Sequence, residues 1–219
     1  MAVERSARIV DVVEHAPDTR SIFLVVDGGA PLAFRPGQFV SCLVQAGDTR
    51  LTRPYSIASS PGEPHIEILL NLVPGGPGSH HLFALRAGDP LRITGPWGTF
   101  TIDEPPTAEI VFVAEHTGIA PIRSMLLDLA RRPRRPPLRL LYGTTLDIYR
   151  DQLAALPGLT LDVVAPAQVF DEAVRRYVDA DAERSRHFFI CGVGAPVLAL
   201  RDRLRAAGYA RRAVRYERW

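Results

Sequence analysis

Arg53-Pro54-Tyr55-Ser56-Ile57-Ala58-Ser59-Ser60 sets a cation, a planar aromatic ring and several hydroxyls side by side, and Pro61-Gly62 marks a turn directly after it. Side chains alternate across an extended strand, so Arg53 and Tyr55 share one face and Ser56 presents the other. A guanidinium is a planar fork of donors that matches a diphosphate. A tyrosine ring lies against a flat conjugated ring system, and a serine hydroxyl donates to a ring nitrogen. These are the parts needed to hold a flavin dinucleotide. A plain strand entering a turn has the same look, and the order of the neighbouring segments decides between the two.

Around this stretch, from Arg8 to about Gly98, short runs separated by Gly, Pro and Asp read as strands: Arg8–Val13, Ser21–Val26, Gln38–Val44, Tyr55–Ala58, His65–Asn71 and Pro90–Thr94. Several short strands with one helical interruption predict a small antiparallel barrel. Phe34-Arg35-Pro36-Gly37-Gln38-Phe39-Val40 is a turn feeding a strand. The interruption is Val73-Pro74-Gly75-Gly76-Pro77-Gly78-Ser79-His80-His81-Leu82-Phe83-Ala84-Leu85. Its glycines allow close backbone approach to a ligand, Ser79 is expected to cap the helix, and free N–H groups at the helix start suit a diphosphate. Adjacent histidines on a helix point about 100° apart and chelate poorly, so His80-His81 is not read as a metal site.

Beyond Thr101–Thr107, with Pro105-Pro106 as a linker, the pattern changes. Glu109–Ala114 is a continuous apolar run of the kind buried on both faces. Pro121–Ala130 has helical spacing, Leu138–Tyr142, Leu159–Val164 and His187–Ile190 read as further strands, and a helix follows over Ala195–Ala206. Alternating strands and helices predict an open parallel sheet with its ligand at the C-terminal strand edge. Thr117-Gly118-Ile119-Ala120-Pro121 falls at the first such edge, where a nucleotide meets a helix start. The lone Cys191 after an apolar run reads first as a small buried hydrophobe.

With 219 residues, 47% of them hydrophobic, the chain can bury a core in one large or two small domains. No apolar run approaches the roughly 20 residues of a membrane helix. Met1-Ala2-Val3-Glu4-Arg5-Ser6 opens into a strand pattern with no signal-peptide character, and the expected location is the cytoplasm. Cys42 and Cys191 are too few for a four-thiolate iron–sulfur or zinc centre, so no metal site is expected. All 26 basic residues are arginine, and the net charge of +2 is uneven. Residues 1–104 hold 8 Arg against 11 carboxylates and residues 105–219 hold 18 against 13, which favours an anionic ligand or acidic partner in the second half. Pro133, Pro136 and Pro137 rule out a continuous basic helix through Arg131–Pro137, so nucleic-acid binding is not expected there. That segment reads as an exposed loop, or as a docking patch for an acidic electron carrier.

Taken in order, these segments resemble the ferredoxin–NADP(+) reductase superfamily. Arg53–Ser56 looks like its flavin signature, Phe34–Phe39 its F-x-P-G-Q-F entry and Gly75–Leu82 its G-G-x-x-(S/T)-x-x-L turn. Gly88–Phe100 is similar to its barrel-closing segment, Thr117–Pro121 to its T-G-I-A-P turn, and the Cys191-Gly192 strand end and Glu217-Arg218-Trp219 complete the series. The resemblance implies an antiparallel β-barrel that binds FAD over residues 1–104. An α/β open parallel-sheet domain for NAD(P)H follows over 105–219, with a C-terminal aromatic tail. It carries FAD contacts onto Arg53, Pro54, Tyr55, Ser56, Leu70, Leu72, Gly76, Gly78 and Ser79, and nucleotide contacts onto Thr117, Gly118, Pro121, Thr144, Arg150 and Gly192. Ser56, Cys191 and Glu217 take the catalytic places beside flavin N5, and Trp219 covers the flavin ring.

The implied function is hydride transfer between NAD(P)H and FAD, with electrons leaving to a ferredoxin, a flavodoxin, or a haem or oxygenase component. NADP(H) is the expected nucleotide, with Arg150 or Arg123 meeting its 2′-phosphate near Thr144 and Thr145; NAD(H) stays open. One departure stands out: Glu115-His116 replace two glycines of the family's G-G-T-G-I-A-P turn. Either these side chains occupy the place of a cofactor, with Glu115 repelling pyrophosphate, or they point outward and change little. The first case allows an alternative, a non-catalytic FAD-bearing electron-transfer subunit. A nucleotide-sensing protein that keeps the fold without turnover is a further one.

Overall fold

In a computed structural model, which describes residues 3–46 and 49–219, the chain forms two compact units, one ending at Thr101 and the next beginning at Ile102. Met1 and Ala2, part of the reading of the N-terminus, lie outside the described residues. The first unit contains β1 (Glu4–Ala16), β2 (Thr19–Val26), β3 (Phe39–Ala46), β4 (Thr49–Ser56), β5 (Ile66–Asn71), α1 (Pro77–Ala84) and β6 (Pro90–Trp97). They form an antiparallel sheet of order β4-β3-β6-β1-β2-β5. The sheet curls without a closing ladder: just past the end of β4, Ile57 bridges Ile68 within β5, and the Ala58 N–H donates to the Glu67 carbonyl at 2.7 Å. Alternating inward residues, among them Ile9, Ile22, Leu24, Val40, Cys42, Ile68 and Ile93, fill its interior, and Leu82 of α1 joins them. Glu4–Ala16 is longer than its alternating core because two irregular pairings with β2 let the strand bend and continue.

One boundary differs from the sequence expectation. Arg53-Pro54-Tyr55-Ser56 ends β4 instead of opening a strand at Tyr55. Pro54 has no N–H to donate, and β4 is an edge strand, where that loss is tolerated.

The second unit contains β7 (Ile110–Glu115), α2 (Ile119–Arg131), β8 (Leu138–Gly143), α3 (Arg150–Ala154), β9 (Leu159–Val164), α4 (Val169–Val174), β10 (His187–Gly192), α5 (Ala195–Ala206) and β11 (Val214–Arg218). The sheet is parallel with order β11-β10-β7-β8-β9. β7 lies at its centre, and Ile110 to Ala114 are fully buried, as a run apolar on both faces requires. After β7 the chain winds to β8 and β9 on one side and then crosses to β10 and β11 on the other, so the winding reverses between β7 and β10. Open α/β sheets bind ligands at that switch point. The terminal segment, expected as a tail, pairs with β10 as β11, with Cys191 beside Glu217 and Gly192 beside Arg218.

A chain of ion pairs starts near the N-terminal ends of β7 and β10 and runs across the sheet. Arg186 meets Glu109 at 2.5 Å, Arg139 meets Glu109 at 3.5 Å and Asp162 at 3.0 Å, and Arg176 joins Asp162 at 2.7 Å to Glu172 at 2.5 Å. The Arg131–Pro137 loop lies at this same end, entering β8, away from the switch point. Among the described residues no helix is long and apolar enough to cross a membrane.

Candidate functional site

In the first unit, the ladder between β3 and β4 sets the direction of each side chain. Arg53 lies opposite Cys42 and Tyr55 opposite Val40, both interior residues, so Arg53 and Tyr55 share the concave face. Ser56 lies opposite Phe39 and is buried. Tyr55 is half-buried against the barrel core, and burial first, then the neighbouring Cys42, pushes its phenol up to about 12 against the pull of Arg53. The ring is therefore neutral at physiological pH and presents an apolar face.

Helix α1 begins beside Arg53. Gly76 is its N-cap, Pro77 opens its first turn, and no side chain caps this end. The first N–H groups of a helix have no intrahelical acceptor, so this end offers donors and a positive dipole to an anion. Gly78 is fixed by close approach: a Cβ there would stand 2.8 Å from Arg53 Cγ and 3.1 Å from its Nε. The arginine stem thus crosses directly over the uncapped turn. Two features differ from the sequence expectation. Ser79 is no cap, because Pro77 at the helix start places it in the third helical position. Its hydroxyl instead turns back, accepting from the Val73 N–H and donating to the Gly76 carbonyl, each at 3.0 Å, and so closes the glycine turn. Leu70 is 1% exposed and its side chain belongs to the barrel core, whereas Leu72 is half-buried with its N–H on the Asp18 carbonyl. A guanidinium over uncapped amides, beside a half-buried aromatic face, fits a diphosphate joined to a flat ring system, and so fits FAD.

In the second unit the switch point gathers several of the expected residues. A tight turn at His116–Gly118 leads from β7 into α2, whose N-terminus is capped by no side chain. Gly118 is pressed against the end of β10, where a Cβ would collide with the Cys191 carbonyl. Thr117 is half-exposed at this turn, and Pro121 is buried in the first turn of α2. Cys191 is fully buried next to Glu217 on β11. Burial foremost, then the Glu217 carboxylate, hold its thiol well above the ordinary range, while a side-chain hydrogen bond with Trp219 pulls the other way. Trp219 is 41% exposed, yet its backbone is fixed: its N–H donates to the Gly192 carbonyl at 3.1 Å, and its carbonyl accepts from Gly194 at 3.2 Å.

At the end of β8, Thr144 is buried and its hydroxyl accepts from the Leu146 N–H at 3.0 Å, so it closes its own loop. Arg123 is 9% exposed, donates to Gln152 at 2.7 Å and stacks 4.1 Å from the Tyr149 ring centre. Arg150 is exposed, and among the described residues its one ion pair is a loose contact with Asp147 at 3.8 Å. Ser56 belongs to the other unit from Cys191, Glu217 and Trp219.

The open question of Glu115 and His116 has a geometric answer. Glu115 does not point outward: its Oε2 accepts from the Val193 N–H at 3.2 Å, and it packs over Gly192 together with Phe170. His116 takes a left-handed backbone with φ 48, a conformation that suits glycine and strains other residues. Val193 closes the strand-end motif that begins at His187 but was not singled out within it, and Phe170 lies in no segment with a motif.

The chain matches the family model of the oxidoreductase FAD-binding domain over residues 6–102. It is 33% identical to ferredoxin–NADP reductase B of Sorangium cellulosum, over 97% of this chain and 96% of that one. It is 30% identical to the toluate 1,2-dioxygenase electron transfer component of Pseudomonas putida, but spans only 59% of that protein. Among solved structures, the cytochrome P450 reductase GcoB of Amycolatopsis superposes with a TM-score of 0.82 at 28% identity, over 99% of this chain and 70% of that one. A ferredoxin NADP+ reductase of Neisseria gonorrhoeae with bound FAD and NADP shares the fold, with a TM-score of 0.82 at 20% identity over 100% and 99% of the two chains. With a relative this similar over nearly its full length, and a flavin-domain match over the unit that holds Arg53 and α1, the chain belongs to the ferredoxin–NADP(+) reductase superfamily and is an FAD-dependent NAD(P)H oxidoreductase.

Proposed function

We propose that the protein takes electrons from NADPH through FAD and delivers them to a separate protein acceptor. The observation that carries this reading is the grouping of Cys191, Glu217 and Trp219 at the switch-point edge of the second sheet. Bound FAD supplies the chemistry of accepting electrons in a pair and releasing them singly. The residues supply placement. Arg53 and the uncapped start of α1, with Gly76 and Gly78 keeping it bare, hold the diphosphate, and Tyr55 lies on the ring system with Pro54 shaping the strand end. Ser56 donates a hydrogen bond to the ring edge. Cys191 stays a neutral thiol, because its raised pKa keeps the proton on sulfur, and so offers a soft uncharged surface to the nicotinamide. Glu217 would orient the bound ring, and Trp219 would cover its face in the place that the nicotinamide needs. Thr117, Gly118, Pro121 and Gly192 form the floor for the rest of the nucleotide.

Preference for NADP(H) over NAD(H) is assigned to Arg150. Arg123 is committed to Gln152 and Tyr149, whereas Arg150, among the described residues, has a distant Asp147 to exchange for a 2′-phosphate. The acceptor is a ferredoxin, a flavodoxin, or a haem or oxygenase component, in keeping with the oxygenase and P450 reductases among its relatives. Two free thiols, Cys42 and Cys191, accord with a reducing cytoplasmic compartment. Anaerobic stopped-flow absorbance with NADPH and with NADH tests the reading. Rapid loss of the oxidised-flavin band, faster with NADPH, is expected. A flavin spectrum that neither nucleotide changes would leave the electron-transfer-subunit alternative, which the Glu115–Val193 contact favours.

A further inference from the structure

The crevice between the C-terminal ends of β7 and β10 already holds an anion of the protein's own. Glu115 is the last residue of β7, and its Oε2 accepts from the backbone N–H of Val193, just beyond the end of β10. The same oxygen lies 3.1 Å from where a Gly192 Cβ would stand, so the carboxylate lies across the strand end. Among the described residues Glu115 forms no ion pair, and its charge is met by a neutral amide alone. The next residue, His116, is held at φ 48, so the turn keeps a conformation made for glycine while carrying a bulky side chain. Backbone amides at such strand ends are the groups that nucleotide oxygens take in open α/β sheets.

We infer that Glu115 is a built-in rival for the coenzyme: its carboxylate occupies the switch-point crevice and holds the Val193 amide that an acceptor oxygen of an incoming nicotinamide nucleotide would take. This rests on the reading that the second unit binds NAD(P)H. Two effects act together. The nucleotide must break the Glu115–Val193 hydrogen bond, and its phosphates enter against a fixed negative charge. The coenzyme therefore binds more weakly than the rest of the site allows and leaves more readily. Glu115 is a positioning residue, acting on affinity through the Val193 amide.

Calorimetric titration of NADP+ and NAD+ into the FAD-loaded wild type, Glu115→Gln and Glu115→Ala tests it. Amide hydrogen exchange at Val193 is followed in parallel, without nucleotide. Glu115→Gln keeps an acceptor oxygen and removes the charge, and Glu115→Ala removes both. The expected dissociation constant falls about tenfold in Glu115→Ala and by a smaller factor in Glu115→Gln, with the gain shrinking as salt is added. Exchange at Val193 speeds up in Glu115→Ala alone. Wild-type binding that neither variant improves, or that both weaken, overturns the rival and makes Glu115 a simple strand-end anchor or a coenzyme contact. Absence of binding in all three proteins, with either nucleotide, overturns both the rival and the reading beneath it.

Discussion

Gly78→Ala isolates the proposed diphosphate cradle with one added methyl. Gly78 lies in the first turn of α1 with an ordinary negative φ, so the backbone accepts alanine, and the change by itself favours the folded helix by about 0.4–1 kcal/mol. The new Cβ would stand 2.8 Å from Arg53 Cγ, well inside the roughly 3.5–4.0 Å of ordinary carbon contact. The arginine stem must move, and the guanidinium moves with it. Charge-assisted hydrogen bonds contribute about 1.5–3 kcal/mol each, so loss of one such contact to diphosphate weakens FAD binding by about tenfold to about 150-fold. FAD titrated into the apoprotein gives the affinity, and thermal melts of the apoprotein check that the fold is intact. Because the effect runs through Arg53, the double variant Arg53→Ala/Gly78→Ala should bind FAD as Arg53→Ala does. Unchanged FAD affinity in Gly78→Ala would refute the reasoning, and so would additive losses in the double variant.

Trp219→Ala should tighten nicotinamide-nucleotide binding about threefold to tenfold, the worth of one aromatic stack, and nucleotide titration checks it. Arg150→Ala should lower NADP+ affinity about tenfold and leave NAD+ affinity near its wild-type value, and equal losses for both would remove Arg150 from the 2′-phosphate. Alkaline pH should destabilise the fold: burial pushes the Cys42 thiol from 9.0 up to about 12, and Tyr142 and Tyr177 also reach about 12. Above pH about 9 the unfolded chain sheds protons that the folded chain keeps, so stability is complete below that point and drains as pH rises toward about 12. Cys42→Ala should flatten this decline by on the order of 2–4 kcal/mol, read as urea midpoints at about pH 8 and about pH 11.

The fully apolar run at Ile110–Ala114 and the alternating strands of the first unit carry their own signal, because burial on one face or two leaves a period in the sequence. β11 left none. It is an edge strand with Arg215, Glu217 and Arg218 along it, and only its partner β10 makes it a strand. The Arg53–Ser56 signature was legible as chemistry, while its place at the end of β4 depended on pairing with β3. Ser79 has the sequence of a cap, yet Pro77 fixed the helix start and redirected its hydroxyl. Glu115 was legible as a departure, but its destination was not: Val193 lies 78 residues along the chain, and only the parallel pairing of β7 with β10 brings the two together.

The ion-pair chain from Arg186 through Glu109, Arg139 and Asp162 to Arg176 has a bearing on how this protein can change. It adds ties between the starts of β7, β8 and β10 and the middle of β9, and with the buried apolar strands it holds the sheet apart from the loops at the switch point. Those loops and strand ends are then open to substitution, and side chains such as Glu115 and His116 can stand there while the strands hold. Laboratory selection for altered coenzyme use should therefore accumulate changes at residues 115–117, 144–150 and 192–194 and spare the arginine–carboxylate chain. The same arrangement gives high salt two separable effects: it loosens the anchored end and screens the binding end, so tolerance to salt and choice of coenzyme can evolve apart.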